Sequence, residues 1–174
     1  MAGYSNAIKG LHHNAYRCRD SEETRWFYED LLGLRLAAAM ELSVTKTGRQ
    51  IKALHTFFEM GDHSFLAFFE LVGEDREGMF DPKSDFDLHI ALTIPDVKTQ
   101  LEFKDKALAA GVEVRGPSEH TVAQSIYLRD PNGYVIELTV NGERYTELMA
   151  EHLHGARGNL DRWQRTKHEA PVQA

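Results

Sequence analysis

Two segments of the chain repeat the same order of local patterns, and this repeat restricts the fold more than any other feature. The segment HNAYRCRD runs from His13 to Asp20, and the segment HIALTIPD runs from His89 to Asp96. Each predicts a strand that opens with a histidine, followed by an aspartate able to cap a helix. A helical pattern, a glycine and three strand-like segments follow in each half. The strand-like segments are Leu34–Val44, Gln50–Glu59 and Ser64–Val72 in the first half and Val112–Val114, Val122–Arg129 and Tyr134–Val140 in the second. The repeat therefore predicts a duplicated βαβββ unit.

The predicted modules occupy about residues 8–72 and 87–140, and a charged, turn-rich linker at about 73–86 joins them. An apolar stripe then predicts a C-terminal helix at about 143–167. We expect an α+β fold in which paired βαβββ modules form a curved sheet around a cavity, within a single domain spanning 1–174. A chain of 174 residues can bury such a core without disulfides, and it contains one cysteine.

Composition excludes several classes of function. The net charge of −7 argues against nucleic acid as the main partner, since phosphate binding needs clustered Lys and Arg. No apolar run of about 18 residues predicts a membrane span. The N-terminus lacks the pattern of a secretory signal, so we expect a cytoplasmic protein. The apolar stripe of the C-terminal helix needs a surface to cover, which favours a homodimer.

Strand alternation predicts a metal site. In DLHIALTI the aliphatic side chains share one face and His89 lies on the other, and in YVIELTV Glu137 is likewise opposite the aliphatic residues. If the aliphatic faces pack on the helices, His89 and Glu137 face the cavity, as does His13 at the matching place in the first half. Burying these groups unpaired would be costly, and a divalent metal removes that cost.

The two halves also end alike, with FFEL at Phe68–Leu71 and VIEL at Val135–Leu138. This similarity makes Glu70 a possible fourth ligand. Three other roles stay open for Glu70: a carboxylate hydrogen-bonded to a ligand, a proton acceptor, or a cavity residue that binds no metal.

With these residues in place, the chain resembles the vicinal oxygen chelate superfamily, which includes glyoxalase I, extradiol dioxygenases and the fosfomycin and bleomycin resistance proteins. The resemblance covers about Ile8 to Val140 and is carried by HNAYRCRD with FYEDLLGLRL, LHIAL, ALAAGVEV and SIYLRDPNGYVIEL. It implies the paired-module fold and the metal ligands His13, His89 and Glu137.

One segment is similar to the signature of extradiol dioxygenases. EHTVAQSIYLRDPNGYVIE supplies His120, Tyr127 and Glu137 at the spacing of that signature, although Ser118 departs from it. The resemblance implies Fe(II)- and O₂-dependent cleavage of a catechol-type ring, with His120 and Tyr127 as catalytic residues and Mn(II), Ni(II) or Zn(II) as alternative metals. A three-residue PNG loop also predicts that Tyr127 lies across from Glu137. A packing role for Tyr127 and a solvated loop position for His120 remain open.

Two other functions remain open at this stage. A glyoxalase I-like lyase would use His13, Glu70, His89 and Glu137 together as a four-ligand site. An antibiotic-binding protein would need no metal. For a flat aromatic substrate we expect Phe68 to provide a stacking surface. Arg17 shares a face with His13 and is a candidate for binding a substrate anion, with an ion pair to an acidic neighbour as the alternative.

Overall fold

A computed structural model describes residues 7–168 and has two four-stranded sheets, each covered by helix on one face. In chain order the elements are β1 (Tyr16–Arg17), α1 (Ser21–Arg25) with a π-helical continuation (Trp26–Leu31), β2 (Arg35–Val44), β3 (Gln50–Glu59), β4 (Phe65–Leu71), β5 (His89–Thr93), α2 (Val97–Ala109), β6 (Val114–Glu119), β7 (Ala123–Arg129), β8 (Val135–Asn141) and α3 (Tyr145–Thr166). The predicted α+β fold with a duplicated βαβββ unit is confirmed.

The two sheets have the same topology. Their strand orders are β1-β4-β3-β2 and β5-β8-β7-β6, so the first strand of each module runs parallel to the fourth. The predicted aspartate caps are also present. The side chain of Asp20 accepts from the backbone N–H groups of Glu22 and Glu23 at 2.8 Å, and Asp96 accepts from Thr99 N at 2.7 Å.

Two strands differ from their predicted lengths. The first module opens with only a two-residue strand and an isolated bridge between His13 and Phe65. The segment predicted at 112–114 is instead β6, which continues to Glu119 through a register shift after Arg115. Gly116 allows this irregularity because its φ is +95° and a Cβ there would lie 2.8 Å from the Ser125 carbonyl oxygen.

One hydrophobic core joins the two modules. It combines Tyr28 of the first-module helix and Phe68 of β4 with Ile126 and Ile136 of the second module, all four fully buried. The aliphatic face predicted for the strand at His89 also packs against this core. Because both modules contribute to one cluster, neither half completes its own core.

The loop between β7 and β8 fastens the modules together. As predicted, it is a three-residue hairpin loop: Asp130 N donates to Tyr134 O at 3.0 Å, and Gly133 is left-handed with a φ of 83°. Asn132 Oδ1 accepts from Arg19 N at 2.8 Å, and Tyr134 Oη donates to Arg17 O at 2.9 Å. These hydrogen bonds connect the loop and its following strand to the first module.

The strands β1, which follows His13, and β5, which begins at His89, each form an edge of their sheet. A cleft of about 460 Å³ has walls from both modules, including Leu11, Met60, Ile90, Leu92 and Phe103. The sheet faces opposite the helices are open, since His13, Ala91 and His89 are exposed.

The predicted C-terminal helix is present as α3, and none of its 22 residues is buried. Its apolar side chains Leu153 and Trp163 are 71% and 62% exposed. Within residues 7–168, no helix has the length and apolar character needed to cross a membrane.

Candidate metal centre and catalytic half-site

His89 and Glu137 lie together on the open face of the second sheet. Ala91 pairs with Glu137 between β5 and β8, and His89 lies two residues earlier on the same face. His89 Nε2 is 3.5 Å from Glu137 Oε2, while its Nδ1 is 2.7 Å from Asp85 O. Because a carbonyl only accepts, Nδ1 carries the hydrogen, and in the neutral ring Nε2 presents its lone pair beside the carboxylate. A metal-ligating imidazole is typically held in this way.

Tyr127 and His120 extend this face by one strand. Tyr127 is in register with Glu137, as the loop geometry predicted. Its hydroxyl lies 2.8 Å from Nε2 of His120, which lies in the turn between β6 and β7. Burial, followed by the negative charge of Glu137, raises the pKa of Tyr127, so the phenol keeps its proton at neutral pH.

Arg115 and Asp85 lie next to Tyr127 and His89, and neither residue was predicted from the sequence. Arg115 is in register with Tyr127, and its guanidinium carbon lies 5.3 Å from the centre of that ring. Its two terminal nitrogens bind the two carboxylate oxygens of Asp85 at 2.9 and 2.6 Å. The guanidinium holds the pKa of Asp85 below its ordinary value. If β6 had been predicted at its full length, pairing it with β7 could have placed Arg115 opposite Tyr127.

The structure does not place His13 with the other two predicted ligands. The His13 ring lies on the open face of the first sheet, with ring centroids 5.3 Å from Phe57 and 6.2 Å from His55. Its Nδ1 is 2.7 Å from Nδ1 of His12. Over residues 7–168, no three His, Cys, Asp or Glu side chains are grouped closely enough to hold a metal. The chain therefore gathers two of the three predicted ligands.

The expectation that Glu70 is a fourth ligand is corrected by the strand register. His13 bridges to Phe65 and His89 pairs with Val135, so the position that matches Glu137 is Ala67. Glu70 is three residues further along β4 and therefore on the opposite face. There its Oε2 accepts from Ser21 N at 2.8 Å, at the start of α1. The similarity of FFEL to VIEL does not reflect equivalent positions.

The structure also corrects the substrate-binding role expected for Phe68. This side chain is fully buried on the helix face, where its ring packs 4.8 Å from Tyr28 and 6.0 Å from Phe58. Arg17 is partly exposed, but one of its terminal nitrogens donates to Asp75 Oδ1 at 2.8 Å. The aromatic rings on the open face of this sheet include Phe57 and His55, and the His55 ring stacks on Phe69 with centroids 3.7 Å apart.

The donors of the second sheet fit a divalent metal. A neutral imidazole nitrogen and a carboxylate are ligands that Fe(II), Mn(II) and Zn(II) all accept. The carboxylate is held by Thr139, whose hydroxyl donates to Glu137 Oε1 at 3.1 Å, and the ring is held by Asp85 O. Two donors leave the site short of the three protein ligands typical of a catalytic metal.

The chain matches a known family over most of its length. The family model described as the Glyoxalase/Bleomycin resistance protein/Dioxygenase superfamily matches residues 10–138. A curated relative, biphenyl-2,3-diol 1,2-dioxygenase 3 from Rhodococcus globerulus, is 32% identical over 77 residues, which are 42% of this chain and 38% of the relative. The chain thus spans well under half the length of that relative.

Solved structures share the fold. A glyoxalase/dioxygenase from Nostoc punctiforme superposes with a TM-score of 0.61 at 23% identity, covering 82% of this chain and 98% of that one. A mutant of the fosfomycin resistance protein FosX from Listeria monocytogenes, complexed with Mn(II) and 1S,2S-dihydroxypropylphosphonic acid, superposes with a TM-score of 0.56 at 21% identity, covering 80% of this chain and 98% of that one. At these identities the structures support the fold alone.

Proposed function

This chain belongs to the Glyoxalase/Bleomycin resistance protein/Dioxygenase superfamily, and from that premise we propose that it is a metal-dependent extradiol dioxygenase that cleaves a catechol-type ring. The observation that carries the proposal is the single face on which His89, Glu137 and Tyr127 lie in adjacent strands. The partial match to an enzyme named for biphenyl-2,3-diol adds support.

The proposed chemistry assigns each side chain a role. Bound by two histidines and one carboxylate, Fe(II) would supply open coordination positions for a chelating diol and O₂. His120 accepts a proton from a substrate hydroxyl. Tyr127, which stays protonated, donates a hydrogen bond to a substrate oxygen. Their mutual contact of 2.8 Å holds the imidazole of His120 beside the phenol of Tyr127.

We further propose that the site is completed by His13 of a second copy in a homodimer. His13 and the pair His89 and Glu137 lie on open faces, and the strands β1, just after His13, and β5, which carries His89, are both sheet edges. Placing one copy's β1 beside the other copy's β5 would bring an imidazole to the two-donor site. The twofold symmetry of a homodimer would form two such sites. The exposed apolar side chains of α3 would cover part of the second copy.

The glyoxalase I-like alternative is not carried forward, because its four-ligand site needs a carboxylate from the first module. Glu70 caps α1 on the helix face, and the position that matches Glu137 is an alanine. No side chain at that position of β4 can supply the fourth ligand.

The test is anaerobic loading of the purified protein with Fe(II), followed by catechol or 2,3-dihydroxybiphenyl in air-saturated buffer. We expect O₂ uptake and a yellow ring-opened product. Tyr127→Phe or His120→Gln should lower kcat about 100-fold while iron content stays the same, because neither residue is a metal ligand. Iron-loaded protein that consumes no O₂ with either diol would refute the dioxygenase proposal.

The matched control is His152→Ala on the exposed surface of α3, which should leave iron content and kcat at the wild-type level. His89→Ala and Glu137→Ala should abolish iron binding. Unchanged iron content in either of these two variants would refute the metal site itself.

A further inference from the structure

Asp85 and Arg115 lie beside the proposed ligands His89 and Glu137 but supply no ligand themselves. We propose that this ion pair is a positioning device that fixes the imidazole of His89 in one tautomer. The proposal rests on the proposed metal-binding function of His89 and Glu137. It adds two residues, from the linker and from β6, on which the orientation of a ligand depends.

Asp85 makes two contacts of different kinds. Its carboxylate binds Arg115 through both oxygens, and its backbone carbonyl accepts from Nδ1 of His89 at 2.7 Å. Two parallel hydrogen bonds to a planar guanidinium restrict rotation as well as position. Because the carboxylate and the carbonyl belong to one residue, holding the first also holds the second.

Arg115 is itself held on the sheet. Its residue is in register with Tyr127, and its guanidinium lies over that ring at 5.3 Å, a distance at which a cation is attracted to an aromatic face. Arg115 Nε is also 3.7 Å from a carboxylate oxygen of Glu113. One side chain thus links the linker turn before His89 to the strand that carries Tyr127.

Backbone hydrogen bonds hold the two residues before Asp85: Lys83 N donates to Gly133 O at 2.8 Å, and Ser84 O accepts from Asp87 N and Leu88 N at 3.1 Å. The side chain of Asp85 itself is held by Arg115. The turn is closed by Ser84, which exchanges hydrogen bonds with Asp87, and both residues are exposed. Without Arg115, the carbonyl would move with this exposed turn. Nδ1 of His89 would then have no fixed acceptor, and the ring would populate both neutral tautomers. Only the tautomer with its lone pair on Nε2 presents a ligand beside Glu137.

The first experiment observes the tautomer directly in metal-free protein. Nitrogen-15 NMR of histidine-labelled protein at alkaline pH distinguishes protonated from unprotonated ring nitrogens, and His89→Gln assigns the signals. We expect one tautomer, with hydrogen on Nδ1, in the wild type. Arg115→Ala and Asp85→Asn should shift both ring signals toward those of a mixed population.

The second experiment measures the affinity for Mn(II) by titration calorimetry. Arg115→Ala should weaken binding about 10-fold, the usual cost of losing a residue that orients a metal-ligating histidine. Arg115→Lys keeps the charge but not the two-pronged geometry, and it should fall between Ala and wild type. The control is Arg144→Ala, which removes the exposed pair with Glu147 on α3 and should change neither signal nor affinity.

The positioning role is refuted if Arg115→Ala, with a native circular dichroism spectrum, keeps both the tautomer and the Mn(II) affinity of the wild type. If Arg115→Ala does not fold, Arg115→Lys and Asp85→Asn decide by the same criteria. A wild-type protein that binds no Mn(II) would refute the proposed metal function. The tautomer of His89 in metal-free variants would still decide the role of the ion pair.

Discussion

Tyr28 and Asp130 form a buried hydrogen bond between the two modules. The phenol of Tyr28, on the first-module helix, donates to Oδ2 of Asp130, at the start of the hairpin loop, at 2.9 Å. Burial raises the pKa of Asp130, although the backbone N–H groups of Asn132 and Tyr134 also donate to this carboxyl group. The contact therefore places a carboxyl group in the interior at the point where the modules meet.

Removing this hydrogen bond should weaken the association of the modules. Tyr28→Phe keeps the ring, which packs against Phe68, but leaves Oδ2 of Asp130 short of one donor. Because Asn132 Nδ2 still donates to this oxygen at 3.0 Å, we expect the free energy of unfolding to fall by about 0.5–1.5 kcal/mol, the usual net contribution of one hydrogen bond. Urea denaturation measures this change. Tyr145→Phe on α3 is the control and should leave the unfolding midpoint unchanged; equal midpoints for all three proteins would contradict the prediction.

A side chain at Gly133 should be far more damaging than one at another left-handed glycine. A Cβ at Gly133 would lie 2.6 Å from Asp81 O and 2.8 Å from Phe80 O, whereas Gly48, with a φ of +84°, has open space around it. Gly48→Ala should cost about 1–2 kcal/mol from backbone conformation alone. Gly133→Ala should cost clearly more, because linker backbone must also move. Similar unfolding midpoints for the two variants would contradict the prediction, because they would mean that the linker backbone moves at little cost.

Stability should depend on pH through Glu29. The backbone N–H of Leu36, followed by Arg25, lowers the pKa of Glu29 in the folded protein. A lowered folded pKa gives stabilisation that is fully present above the unfolded pKa of about 4.3 and is lost as the pH falls through the folded value. Glu29→Gln should therefore unfold at lower urea than wild type at neutral pH. The difference should shrink as the pH falls below about 4.

The matched control for Glu29 is Glu102→Gln, which removes an exposed partner of Lys98 at 3.7 Å. Its unfolding midpoint should follow that of the wild type at every pH. A difference between Glu29→Gln and wild type that stays constant from neutral to acidic pH would contradict the assignment.

Mixed dimers test whether the metal site is shared between copies. His13→Ala and Glu137→Ala chains, each with a different affinity tag, are coexpressed and the mixed dimers isolated. A shared site leaves one intact set of ligands per mixed dimer, so we expect about half the wild-type iron content. Neither variant alone should bind iron. Mixed dimers without iron would mean that each chain builds its own site.

Local chemistry made much of the fold predictable. The capping aspartates, the hairpin loop and the register of Tyr127 with Glu137 follow from alternation and turn geometry over fewer than about a dozen residues. The ends of β3 also lie where the apolar pattern predicted them. Each of these features depends on residues that are close in sequence, so a single sequence is enough to predict it.

The face assignment of β4 could not be predicted in the same way. Phe65 and Phe69 lie on the open face, and Phe68 lies on the core face, so alternation defines two sets without indicating which is inside. The error reversed the faces and placed Glu70 in the cavity. The strand pairing with β1, which is not visible in the sequence, resolves it.

The positions of His13 and Arg115 depend on contacts between distant segments. Arg115 forms an ion pair with Asp85, which is 30 positions away in the chain, and the local sequence around either residue does not predict this pair. A duplicated unit likewise does not say whether two modules combine their open faces within one chain or between chains. That choice is made by packing, which leaves His13 away from His89.

The shared core has a consequence for how the protein folds. Side chains from both modules pack in one common core, so each module depends on the other to bury its apolar face. Unfolding should then be one cooperative transition, and neither half expressed alone should be stable. The two repeated modules should therefore behave as one thermodynamic unit.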